Sequence, residues 1–155
     1  FEEFKKGLEK ELDAGDSETH YNLGIAYREM GLLDDAIKEF QTSRNDPGYS
    51  ARSMTMLGIC YMEKGLYPLA IHAFKGALEG IATRDESYWG AQYDLASAYE
   101  KNGNSKDAFE IFSEIYGWNS QFRQVTERLN HLKTVLSKED TAAKQKEKKD
   151  RVSYI

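Results

Sequence analysis

Apolar residues recur every three or four positions in the first long segment of the chain, which is the period of a helix with one buried face. One apolar stripe precedes Gly31 and a second follows it. The stripes are formed by Leu23, Ala26, Tyr27 and Met30, and by Ile37 and Phe40. The alternation of apolar and polar residues that is typical of a half-buried strand does not occur in this segment. The pattern therefore predicts an all-α chain of short amphipathic helices.

The same segment is the first copy of an internal repeat. Six of its landmark residues return 34 positions later, and a third copy lies 38 positions after the second. The three sets are Leu23, Gly24, Tyr27, Gly31, Ala36 and Phe40; Leu57, Gly58, Tyr61, Gly65, Ala70 and Phe74; and Leu95, Ala96, Tyr99, Gly103, Ala108 and Phe112. A fixed period of this length predicts an array of stacked helical hairpins, with four residues inserted within 78–87.

The types of the landmark residues predict how each hairpin is built. Small residues such as Gly24 and Ala36 suit a close crossing of two helices, and the large rings fill the space between units. Gly31 suits a left-handed residue that ends the first helix, as do Gly65 and Gly103 in the later copies. Pro68 stands near the start of a second helix, where its missing N–H has no cost.

The chain is expected to divide into six parts. They are an N-terminal helix (1–14) that is either the remnant of a preceding repeat or a cap, repeat 1 (17–50), repeat 2 with its insertion (51–88), repeat 3 (89–118), a C-terminal capping helix (119–137) and a charged tail (138–155). Because the chain starts at Phe1 rather than Met, inside a helical pattern, we expect it to be a fragment of a longer protein.

The motif Leu-Gly-x-x-Tyr followed by Ala and Phe, on a period of 34 residues, resembles the tetratricopeptide repeat family over residues 17–120. The chain departs from the family at the aromatic position three residues before the leucine, which holds His20, Met54 and Gln92, and it retains the closing proline only as Pro47, shifted by one position. The resemblance implies an α-solenoid wound into a right-handed superhelix with capping helices at both ends. The style of the repeats is similar to that of bacterial members.

Charge and composition narrow the classes of partner. The net charge is −5, and residues 138–151 carry six Lys or Arg against four Asp or Glu, about +2, which leaves about −7 on the rest. This balance disfavours nucleic-acid binding, and no apolar run is long enough to insert into a membrane. The single cysteine, Cys60, cannot form an internal disulfide, so we expect a reducing, cytoplasmic location unless a signal or anchor has been lost with an N-terminal part.

We find no pattern in the sequence that predicts catalysis, metal binding or a cofactor. His20, His72 and His131 lie far apart and never at the spacing of a metal-binding pair. Cys60 lies among helix residues that pack, so we interpret it as a small buried hydrophobe rather than a nucleophile. The sequence therefore predicts a protein that is not an enzyme.

The resemblance also implies a groove, lined by the first helices of successive repeats, that binds a segment of another protein. The positions that correspond to it are Tyr21, Ile25, Arg28, Arg52, Thr55, Met56, Ile59, Met62, Tyr93, Asp94, Ser97 and Glu100. Chaperone-binding members grip a C-terminal carboxylate with Lys and Asn, but here those positions hold Tyr21, Ile25, Met56, Gly90 and Asp94. We therefore expect an apolar or amphipathic ligand segment. The alternative is that some of these side chains pack under another helix of the same chain.

The C-terminal tail could supply a further contact. Val152, Ser153, Tyr154 and Ile155 form an apolar tip that could act as a ligand, and through it the chain could associate with a second copy. The tail itself is expected to be either a solvated helix extension or disordered.

The leading hypothesis for function is thus an adaptor or scaffold. One alternative is a regulatory or substrate-recruiting module of a larger enzyme or transport machine, and another is a self-associating spacer.

Overall fold

A computed structural model describes residues 2–11 and 16–153, and throughout this part of the chain the regular structure is α-helical, without strands. Its helices are α1 (Glu2–Glu11), α2 (Ser17–Glu29), α3 (Leu33–Ser43), α4 (Ser50–Glu63), α5 (Tyr67–Glu79), α6 (Glu86–Lys101), α7 (Ser105–Trp118) and α8 (Val125–Val152). The predicted all-α fold is confirmed. Phe1 and residues 12–14 of the expected N-terminal helix lie outside the described residues, as do Tyr154 and Ile155 of the proposed tail ligand.

The helices belong to two structural units, which divide within α6 between Ala91 and Gln92. Unit 1 contains α1 to α5 and the start of α6. Unit 2 contains the rest of α6 together with α7 and α8. The helix α4 begins at Ser50 and α6 at Glu86, and the expected bounds of the repeats stay a prediction.

Glycines in the left-handed conformation end the first helix of each hairpin. The φ angles are 79° at Gly31, 74° at Gly65 and 85° at Gly103. In the first hairpin, the N–H of Leu32 donates to the carbonyl of Tyr27 at 2.9 Å, which satisfies one of the carbonyls left free at a helix end. The prediction that these three glycines act as helix stops is confirmed.

Two glycines allow the paired helices of unit 1 to cross closely. A Cβ atom placed on Gly24 would lie 2.6 Å from Cε1 of Phe40, and one on Gly58 would lie 2.4 Å from Cε1 of Phe74. Both rings are almost fully buried. In each of these two hairpins, the phenylalanine ring therefore fills the space that a side chain at the glycine position would need.

The core of unit 1 joins the first hairpin to the second. Tyr27, Leu57 and Cys60 are buried together in it. The hydroxyl oxygens of Ser43 and Ser53 lie 2.6 Å apart and link α3 to α4, so that neither buried hydroxyl lacks a hydrogen-bond partner. Burial raises the pKa of the Cys60 thiol to about 11, and the Glu63 carboxylate contributes to the increase. Cys60 is the buried hydrophobe that the sequence predicted.

The core of unit 2 forms where α7 packs against α8. The side chains of Phe112, Ile115, Val125 and Leu132 are almost fully buried there. Val125, Leu129 and Leu132 lie three or four residues apart, so one face of α8 is buried in this core.

The last helix differs from its expected bounds at both ends. It begins at Val125 rather than at residue 119, after a turn in which Arg123 has a φ of 47°. It also continues through the segment expected to be a tail, as a solvated helix, up to Val152. From Ser137 to Ser153 every described side chain is exposed, and ion pairs such as Lys144 with Asp140 lie along the helix surface.

We expect Gly58→Ala to lower the free energy of unfolding. The added methyl group overlaps the buried ring of Phe74, and overpacking of this kind costs about 1–3 kcal/mol. Gly117→Ala is the matched control, because no neighbouring atom lies within 4 Å of its Cβ position. The control should be neutral or stabilising by up to ~1 kcal/mol, since alanine favours helix. Chemical denaturation measures both, and equal stabilities would contradict the close crossing.

We expect Cys60 to be unreactive toward an aromatic disulfide reagent in the native protein at mildly alkaline pH. The thiol is buried, and its raised pKa leaves little of the reactive thiolate. The reaction should become complete when the protein is unfolded in guanidinium chloride. Rapid labelling of the folded protein would show that this part of the core opens.

Candidate peptide-binding surface

Eight of the predicted groove residues lie in unit 1, on one stripe of α2 and one of α4. The residues of each stripe are three or four positions apart, so each stripe covers about a third of its helix circumference. We call this surface the α2–α4 face, and it consists of Tyr21, Ile25 and Arg28 with Arg52, Thr55, Met56, Ile59 and Met62. All of them are partly or fully accessible to solvent.

An ion pair joins the two stripes at the C-terminal ends of the helices. Nε of Arg28 donates to Oε1 of Glu63 at 2.8 Å, and a second guanidinium nitrogen contacts the same oxygen. Each side chain is about a third exposed, at 35% and 37%. The charge of Arg28 is therefore already balanced within the protein.

An aromatic cluster joins the stripes at their N-terminal ends. The ring centroid of Tyr21 lies 5.7 Å from that of Tyr49 and 5.7 Å from that of the buried Phe40. The guanidinium carbon of Arg52 lies 4.2 Å from the centroid of Tyr49 and 5.8 Å from that of Tyr21. Arg52 also donates to the carbonyl of Gly48 at 3.0 Å. The cluster holds the guanidinium group against the rings.

The middle of the α2–α4 face is apolar. Ile25 and Met56 pack against the buried core of unit 1 and remain partly exposed. Ile59 and Met62 are also partly exposed. The hydroxyl of Thr55 donates to the carbonyl of Ala51 at 3.0 Å, so it is occupied within its own helix. A ligand would meet mainly hydrocarbon and thioether groups here.

The remaining predicted residues lie on α6 in unit 2, where other residues of the chain contact them. Tyr93 packs edge-on against Phe112 at 5.2 Å and against Phe122 at 6.1 Å. Glu100 accepts a hydrogen bond from Arg128 of α8 at 3.0 Å. Ser97 lies between them on the same stripe and is partly exposed. Tyr93 and Glu100 thus have neighbours from α7, α8 and the turn before α8, and both remain partly exposed.

Arg123 completes this covering of α6. Its guanidinium carbon lies 5.1 Å from the centroids of both Tyr93 and Phe122, and its Nη1 donates to Oδ1 of Asp94 at 3.3 Å. Burial raises the pKa of the Asp94 carboxyl, and the neighbouring Arg123 opposes that increase. Burial also raises the pKa of the Tyr93 phenol.

Groups that could perform chemistry are dispersed. Among the residues whose side chains are described, no three His, Cys, Asp or Glu side chains converge as a metal site would require. Nδ1 of His20 lies 2.6 Å from Oε2 of the buried Glu39, which makes this pair part of the packing between α2 and α3. Within the described helices, no stretch combines the length and apolar character needed to cross a bilayer.

Sequence reasoning missed several contributors to these surfaces. Glu63 follows Arg52 by eleven positions and Met56 by seven, so helical spacing alone could have placed it on the α4 stripe. Tyr49 precedes α4 and has no periodic signal. Phe122 belongs to the apolar pattern of the C-terminal segment, but that pattern does not indicate its contact with Tyr93.

Comparison with known proteins agrees with the repeat pattern. The tetratricopeptide repeat family model matches residues 21–86 and 61–121. The uncharacterized protein ycf37 of Guillardia theta is 25% identical over 130 residues, which are 81% of this chain and 71% of that protein.

Solved structures share the fold. MamA superposes with a TM-score of 0.73 at 25% identity and covers 91% of this chain and 79% of its own. A second match is the Yersinia enterocolitica type III secretion chaperone SycD, solved in complex with a peptide of the translocator YopD. It superposes with a TM-score of 0.65 at 22% sequence identity, and the match covers 76% of this chain and 92% of SycD. The first tetratricopeptide repeat domain of Spaghetti (RPAP3), bound to an HSP90 peptide, superposes with a TM-score of 0.69 at 16% sequence identity. The match covers 81% of this chain and 97% of that domain. Since the family model spans most of the chain, this protein belongs to the tetratricopeptide repeat family.

Proposed function

We propose that the protein is a non-enzymatic adaptor or scaffold that binds an apolar or amphipathic segment of another protein across the α2–α4 face. The observation that carries the proposal is the partly exposed apolar centre of this face, fixed from below by the core of unit 1. Two proteins of the same fold were solved with peptides bound, SycD with a peptide of YopD and Spaghetti with a peptide of HSP90, which supports peptide binding as the function.

The physical character of the face suits a few apolar anchors. The side chains of Ile25 and Met56 already pack against the core of unit 1, so they lose little conformational entropy when a ligand covers their exposed parts. Met56 and Met62 have flexible, polarizable side chains that adapt to differently shaped apolar groups. A partner segment would bury its anchors between the aromatic cluster at one end and the Arg28–Glu63 pair at the other.

The binding surface of this proposal is narrower than the groove expected from the sequence. The α6 residues Tyr93 and Glu100 are excluded, because Phe122, Arg123 and Arg128 of the same chain contact their stripe. We further propose a cytoplasmic location, since the one cysteine is buried and free and requires no oxidising compartment.

Self-association as a spacer is the second candidate, and the exposed helix from Ser137 onward favours it. The exposed surface of this helix is available to a second copy of the chain. Val152 is 62% exposed near its end. If deletion of residues 138–155 leaves the mass in solution unchanged at all concentrations, this candidate is wrong.

We expect the double substitution Ile59→Ser and Met62→Ser to abolish partner capture, because it removes two apolar anchors from the face without opening the core. Affinity capture from a lysate of the source organism, with quantitative mass spectrometry, compares it with the parent chain. Leu69→Ser is the matched control, since Leu69 is 48% exposed on α5 and does not belong to the face. Circular dichroism should show equal helicity in all three proteins.

The proposal predicts that one or more proteins are lost with the double variant and retained with the control. If both variants capture the same proteins as the parent chain, the α2–α4 face is not the binding surface.

A further inference from the structure

The two arginines of the α2–α4 face differ in their electrostatic partners. Arg28 is neutralised by Glu63, with Nε at 2.8 Å from Oε1. Arg52 contacts the rings of Tyr21 and Tyr49 and the carbonyl of Gly48, and in the described part of the chain no carboxylate forms an ion pair with it. Of the two arginines on the face, Arg52 is thus the one whose charge no described carboxylate balances.

From this difference we propose that Arg52 is a carboxylate-binding subsite, and that the partner segment has an Asp or Glu beside its apolar anchors. The inference rests on the proposed function, because it specifies the ligand of the same face. Arg52 is not among the positions at which family members hold a C-terminal carboxylate, and those positions contain other residue types here, including Tyr21, Ile25 and Met56.

The guanidinium group of Arg52 is arranged in advance for such a ligand. The guanidinium carbon lies 4.2 Å from the ring centroid of Tyr49, and one N–H donates to the carbonyl of Gly48, so two contacts hold the group in place. Arginine has five N–H donors directed from the edge of that plane, and a carboxylate can accept two of them in parallel. Gly48 accepts from one donor, and the side chain is exposed, so other donors remain accessible to a ligand. A ligand carboxylate therefore binds a side chain whose rotamer is already restricted.

The acids nearest in the chain do not occupy the subsite. Oδ1 of Asp46 accepts the N–H of Gly48 at 2.9 Å and so serves the turn before α4. Glu63 lies at the opposite end of the face on Arg28. The residues outside 138–151 together carry a net charge of about −7. An unpaired cation in this setting provides a local site for one carboxylate, while a strongly acidic segment would be repelled by the rest of the protein.

The position of Arg52 also determines the spacing of the ligand motif. Arg52 precedes Met56 by four residues and Ile59 by seven on one helix, which are axial separations of about 6 Å and 10 Å. An extended segment advances about 3.3 Å per residue. The carboxylate of an extended ligand should therefore lie two or three residues from an apolar anchor.

A phage-displayed library of random 12-residue peptides, selected on the full chain, tests this inference. We expect the recovered peptides to be enriched in Asp or Glu two or three positions from a large apolar residue. Fluorescence anisotropy then measures the affinity of synthetic versions. Arg52→Gln should weaken binding at least tenfold and reduce its dependence on salt, because a charged contact is lost.

Further variants separate the subsite from general effects on charge and folding. Lys106→Gln removes a positive charge from α7, outside the face, and should leave affinity unchanged. Arg52→Lys retains the charge but not the paired donors, so its affinity should be intermediate. Replacing the acid of the peptide by its amide should weaken binding to the parent chain and have little effect with Arg52→Gln. This lack of additivity identifies a direct contact.

The outcomes separate the two proposals. Peptides that lose affinity with the Ile59→Ser/Met62→Ser variant but show no acidic preference and no response to Arg52→Gln overturn the subsite alone. A library that yields no peptide dependent on Ile59 and Met62 overturns peptide binding at the α2–α4 face, and the subsite with it.

Discussion

The close contact between a glycine and a phenylalanine within each hairpin of unit 1 is the constraint on which the rest of that unit depends. Gly24 allows the ring of Phe40 to lie directly on the backbone of α2, and Gly58 does the same for Phe74 on α4. A ring in that position sets the distance between the paired helices, because interiors are too densely packed to accommodate another methyl group. The third hairpin has Ala96 at this position, opposite the fully buried Phe112, so its crossing accommodates a Cβ atom.

This packing also shapes the α2–α4 face. Tyr21 contacts Phe40 on its inner side and Tyr49 and Arg52 on its outer side, so one side chain connects the core to the surface. Through it the position of a guanidinium group at the surface depends on a buried ring. The apolar residues in the middle of the face are likewise supported from below, which gives a short peptide a rigid surface rather than a collection of mobile side chains.

In unit 2, the corresponding stripe on α6 contacts α8 and the turn that precedes it. The turn before α8 places Phe122 and Arg123 against Tyr93, and Arg128 then pairs with Glu100. Arg123 has a left-handed backbone, which is unfavourable for a side chain with a Cβ atom and is retained here with stacking on two rings and an ion pair to Asp94. Corresponding stripes on α4 and α6 thus have different neighbours.

The all-α fold and the three glycine stops followed from the sequence alone, whereas the groove positions Tyr21, Arg52, Met56 and Ile59 were implied by the resemblance to the family. The fold and the stops depend on local periodicity and on the conformational freedom of single residues, which can be identified within one or two helical turns. The extension of α8 to Val152 also has a local cause, because ion pairs between residues four positions apart, such as Asp140 and Lys144, stabilise a helix. Only the tertiary structure decided which stripes remain open. The ion pair of Arg28 with Glu63 and the contacts of Tyr93 with Phe122 and Arg123 join residues about 30 positions apart, and the contacts of Tyr93 also depend on the left-handed backbone of Arg123. That no carboxylate among the described residues pairs with Arg52 is likewise a property of the fold. Neither the periodicity nor the type of a residue specifies what packs against it from elsewhere in the chain.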